Sequence, residues 1–89
     1  MAGMPHHLVE WFRADADQVW VDHITAALEA AGPEPDVRLI IVIAVPSDEV
    51  IFGLFAASSS ENLRQVCVRA GVPPQRLTAD VQPTLLAAR

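Results

Sequence analysis

The rhythm of apolar and polar positions divides this chain into six segments. Residues 6–13 carry Val9, Trp11 and Phe12 with no breaker, which predicts a first strand. Asp15 follows as a predicted N-cap with Gln18 three residues on, the spacing of a capping box. Trp20, Ile24, Ala27, Leu28 and Ala31 then recur at helical spacing, with Asp17, Asp22, Thr25 and Glu29 mostly on the other side. Gly32 and Pro33 predict the end of that helix, because glycine takes the left-handed cap conformation and proline cannot continue the ladder. After a loop over residues 33–36, residues 37–45 read as the clearest strand. A regular alternation sends Val37, Leu39, Ile41, Ile43 and Val45 to one face and Ile40, Val42 and Ala44 to the other. The polar turn at 46–49 leads back into a strand over 50–56, where Phe52 and Leu54 oppose Ile51 and Phe55. Ser58 and Glu61 again have capping-box spacing, and Leu63, Val66, Cys67 and Ala70 form one helical face closed by Gly71. Residues 76–81 read as a short last strand, and tails occupy residues 1–5 and 83–89.

The order β-α-β-β-α-β predicts one α+β domain of the ferredoxin-like kind over residues 1–89. Its four-stranded antiparallel sheet would carry both helices on one face. Two helices cover only one face, yet the second and third strands are apolar on both. An antiparallel sheet with one face in water alternates apolar with polar residues. The uncovered face is therefore expected to meet a second copy, in a homodimer resembling a dimeric α+β barrel.

Composition sharpens this picture. The chain has 89 residues, 52% of them apolar and 19% charged, a rich apolar share for so small a unit. A domain of this size buries roughly 60–65% of its unfolded surface, so a partner subunit is a common source of extra stability. The net charge of −5 argues against nucleic acid and anionic membrane surfaces, both of which select basic patches. Residues 39–45, the longest apolar run, are too few to span a bilayer. The first residues lack the basic and apolar blocks of a signal peptide, and a single cysteine forms no internal disulfide. A cytoplasmic protein is the expectation.

Few residues suggest chemistry. Glu10 stands mid-strand among Val9, Trp11 and Phe12, on a strand this topology makes interior. A carboxylate there needs compensation from Arg38, from His6 on the same face, or from a ligand. Trp11 is expected to line a pocket. The candidate ligand-binding set is thus Glu10, His6, Trp11 and Arg38. His6 and His7 point to opposite faces, and with His23 they form no recognised metal spacing, so each reads as a surface or rim histidine. Cys67 and Trp20 read as core, and Ser58 to Ser60 as a helix cap in place of an anion site.

Leu8-Val9-Glu10, the stretch from Ser58 to Arg64, and above all Arg69-Ala70-Gly71-Val72-Pro73-Pro74-Gln75-Arg76-Leu77 resemble a family of small bacterial proteins of unknown function. The resemblance spans nearly the whole chain. It implies a ferredoxin-like fold, homodimeric assembly and, for some members, nickel as the bound metal. Members often carry a His where this chain has Val66, and a Cys and a Glu around Gly53 and Ala56. Those departures predict that nickel does not bind tightly here, while Glu10 matches. The functional expectation is a homodimeric ligand- or metal-binding protein without catalysis. The alternatives are a small cofactor-free isomerase or oxygenase of the dimeric α+β barrel type, and a pure interaction module.

Overall fold

Strand β1 (His6–Phe12) is followed by helix α1 (Gln18–Ala30), strands β2 (Val37–Val45) and β3 (Val50–Ala57), helix α2 (Ser60–Arg69) and strand β4 (Arg76–Val81). The computed structural model describes residues 3–32 and 34–84, so Pro33 and part of each tail lie outside the described residues. All strand pairs are antiparallel, in the order β2-β3-β1-β4, a four-stranded sheet compatible with the ferredoxin-like arrangement. β1 is interior, as the topology requires.

Val9 and Trp11 from β1, Ile51 and Phe55 from β3, Ile24 from α1, and Leu63 and Cys67 from α2 form one buried cluster. Both helices therefore lie against the same sheet face. Side chains of this size each contribute about 1.5–3 kcal/mol on full burial. Gly53 sits in the middle of this face for a steric reason. A Cβ there would come within 2.8 Å of the Trp11 ring and 3.0 Å of the Phe55 ring. The indole thus lies where a side chain would stand.

Three expectations are corrected. The even alternation predicted for β2 breaks at Ile40, because Leu39 pairs with Phe55 and Ile41 with Leu54. This bulge adds one residue to β2, so the faces exchange there. Val37 and Leu39 share the helix face with Val42 and Ala44, while Ile41 and Ile43 turn to the open face. Second, the N-cap of α1 is Asp17, whose carboxylate accepts from the amides of Val19 and Trp20. Asp15 is instead drawn to side chains. Third, Ser59 and not Ser58 caps α2, accepting from the Asn62 amide, while Ser58 Oγ accepts from the Asn62 side chain.

The glycine stops behave as predicted, with Gly32 at φ +94° and Gly71 at φ +81°. At the end of α2 the Gly71 amide donates to the Val68 carbonyl and the Val72 amide to that of Cys67. That pair of bonds is a Schellman motif, and it aims the following loop back across the sheet toward β1. There the Gln75 amide donates to the Glu10 carbonyl.

The open face is apolar at its centre. Leu8, Leu54 and Ile41 align across three strands, and Glu10, Phe52 and Ile43 form the next row. Phe12, Ile41 and Ile43 are each about half exposed. Among the described residues, no helix is long and apolar enough to cross a membrane.

Candidate functional site

The four residues expected to form one site are placed apart. Glu10 lies on the open face, and its neighbour across the β1–β4 ladder is Arg76. The Arg76 Nε stands 3.5 Å from a Glu10 carboxylate oxygen. The carboxylate is largely covered, at 14% side-chain exposure, while Arg76 is mostly exposed at 68%. Compensation thus comes from Arg76, not from Arg38 or His6. Arg38 is two strands away at the edge of the sheet, opposite Ala56. His6 shares the Glu10 face but lines a shallow hollow with Asp80, Val81 and Pro83. Trp11 points the other way, into the helix side.

His7 corrects the expectation of surface histidines. It is 2% exposed and both ring nitrogens are engaged. Its Nε2 lies 3.2 Å from the Ala57 carbonyl, and the Asp80 amide donates to Nδ1 at 3.4 Å. The neutral tautomer with its hydrogen on Nε2 satisfies both contacts. A bulge in β4 frees that amide: Ala79 and Asp80 together oppose His7, and Asp80 takes φ +56°. Local residue types gave no signal of this, because the pairing is made over a separation of 73 residues.

Val66 and Gly53 face the helix side, whereas Ala56 faces the open side beside His6. The three departures from the nickel-associated pattern therefore do not converge on one point. Among the described residues, no group of three or more His, Cys, Asp or Glu is placed to hold a metal ion. Cys67 is fully buried, and desolvation pushes its thiol up to about 11, so the reactive thiolate is suppressed at neutral pH.

Two cavities open on the helix side. The first, about 460 Å³, lies between the C-terminal half of α1, the start of β2 and α2. Leu28, Val37, Leu39, Phe55 and Val66 supply its apolar wall. Glu29 and Glu34 stand at its rim, with Glu34 held by Arg69 at 3.6 Å. Arg38 also reaches its edge.

The second cavity, about 310 Å³, lies between the start of α1, the end of β1 and the loop after α2. Trp11 lines it, and its indole N–H donates to the Val72 carbonyl at 2.9 Å. Sequence reasoning missed its other members, Arg13, Trp20, His23 and Gln75. Arg13 lies over the Trp20 ring at 3.6 Å, a cation–π contact, and its Nε is 3.5 Å from Asp15. Asp15 accepts the Trp20 indole N–H at 2.6 Å. That hydrogen bond is the chief cause holding the Asp15 carboxyl below its ordinary value, with a backbone hydrogen bond and then the nearby Arg13 charge adding to it. His23 meets Trp20 edge-on at 4.8 Å. The spacing of Trp20 and His23 on α1 was visible, but the approach of Arg13 depends on the turn between β1 and α1.

No family model matches the chain, and no curated protein matches it. Among solved structures, the fold is similar to the crystal structure of SCO4226 from Streptomyces coelicolor A3(2), with a TM-score of 0.71 and 19% identity over 93% of this chain and 99% of that one. At that identity the likeness establishes the shared α+β fold.

Proposed function

We propose that this chain is a small homodimeric protein that binds an organic ligand in the 460 Å³ cavity between its helices and sheet, without catalysis of its own. The observation that carries the reading is the cavity itself: its volume falls in the range of small-molecule sites. Its wall is apolar and its rim holds two carboxylates. Glu34 is tied to Arg69, whereas among the described residues Glu29 has no ion-pair partner. The free Glu29 carboxylate suits the cationic end of a molecule with an apolar body, with Arg38 as the competing charge at the same edge.

The open face supports dimerisation. Leu8, Phe52, Leu54, Ile41 and Ile43 form a continuous apolar band on one side of the sheet, with Glu10 and Arg76 beside it. A second copy turned by a two-fold axis presents the same band and the same flanking charges. The resemblance to nickel-binding proteins is read as a likeness of fold. Calorimetric titration of untagged protein with nickel is expected to show no stoichiometric submicromolar binding.

The cavity is tested with hexylamine against hexanoate, following the methyl signals of Leu28, Leu39 and Val66. Hexylamine should shift all three saturably, and Leu28→Trp, which fills the space, should abolish the effect on Leu39 and Val66. Equal response to both probes, or persistence in the filled variant, would refute the assignment.

A further inference from the structure

We propose that the second cavity, under Trp20, is a separate site for a small aromatic carboxylate. Its walls are flat and apolar: the Trp11 indole and Ile24 are buried, and Trp20 and Pro73 flank the opening. A volume of about 310 Å³ suits a molecule of one ring and a short polar group.

The polar groups decide the charge of the occupant. The two indole N–H groups are already used, Trp11 on the Val72 carbonyl and Trp20 on Asp15. The Gln75 side-chain oxygen accepts from the Phe12 amide, which leaves the Gln75 amide hydrogens as donors. Arg13 is engaged only on one side. Its Nε lies 3.5 Å from Asp15, yet this buried nitrogen makes no hydrogen bond. Its terminal amino groups have no partner among the described residues. His23, an exposed residue, lines the same cavity. Donors thus outnumber acceptors, and the strongest is a guanidinium fixed by stacking on an indole. A planar guanidinium with free terminal groups matches a carboxylate in a two-pronged contact. The flat walls match an aromatic ring.

Asp15 is the opposing charge. It stands beside Arg13 and competes with an incoming carboxylate for it. The site therefore makes an unusual forecast: removing this acid should strengthen binding. Asp15→Asn keeps a carbonyl oxygen for the Trp20 indole N–H and frees the guanidinium.

The test titrates benzoate and its neutral isostere benzamide into the full chain and follows the Trp20 indole N–H signal by NMR. Benzoate should bind saturably and at least roughly tenfold more tightly than benzamide, the size of a hydrogen bond to a charged group. Arg13→Gln should remove that preference, with the Trp11 indole signal unchanged as a control for folding. Asp15→Asn should raise benzoate affinity several-fold. Leu28→Trp blocks the first cavity and should leave benzoate binding intact, so the two sites stand or fall separately. No saturable binding, equal affinity for benzoate and benzamide, or a benzoate affinity indifferent to Arg13→Gln would overturn the proposal.

Discussion

Gly53 shows how one missing side chain arranges a site. The space its Cβ would fill is taken by Trp11, whose indole then reaches Val72 and closes the floor of the second cavity. Gly53→Ala forces the ring against its neighbours, and overpacking of this kind costs about 1–3 kcal/mol. Chemical denaturation should show that loss, together with a change in Trp11 emission as its hydrogen bond is strained. An unchanged midpoint would mean that the ring shifts freely. In the sequence Gly53 is simply a glycine in a strand, and Trp11 is an aromatic with no visible partner. Their relation required the register of β1 on β3. Glu10 was legible as a covered carboxylate on an interior strand. Its partner was not, because Arg76 arrives from the far end of the chain through β4.

Element boundaries were legible, while their details turned on one-residue choices. Two acids, Asp15 and Asp17, precede α1, and spacing to Gln18 favoured the first. Folding assigned them different work: Asp17 caps the helix and Asp15 orders Trp20 and Arg13. The distinction can be measured. Asp17→Ala should destabilise the protein by about 1 kcal/mol, the usual loss at an N-cap. Asp15→Ala should instead alter the Trp20 environment and the acid limb of the stability curve. The Asp15 carboxyl is held below its ordinary value when folded, so its contribution is present above the usual aspartate pKa. It should fade as the pH falls through the lowered folded value. In β2 the alternation looked regular because every residue from Leu39 to Val45 is apolar, so no polar residue marked the bulge at Ile40.

At the scale of the whole molecule, the α+β order and the apolar second face were both readable from the pattern. The cavities were not, since each combines residues from both halves of the chain. The proposed pairing of open faces rests on Ile41, Ile43, Phe52 and their neighbours. Ile43→Glu puts a charge in that band and should convert a species of twice 9.6 kDa into a single chain in sedimentation equilibrium. A wild-type chain that sediments as a monomer at micromolar concentration defeats the pairing directly.

The bulge at Ile40 bears on how far the proposed association would run. β2 is an outer strand of the sheet, and a straight apolar edge there would invite further strands side by side. In-plane addition at both ends of a sheet has no natural stop and builds ribbons or fibres. The extra residue at Ile40 interrupts the regular spacing of outward-pointing amides and carbonyls that a new strand would match. Stacking through the faces, by contrast, closes after two copies. With the open faces paired as proposed, the bulge would favour a finite particle over an unlimited polymer.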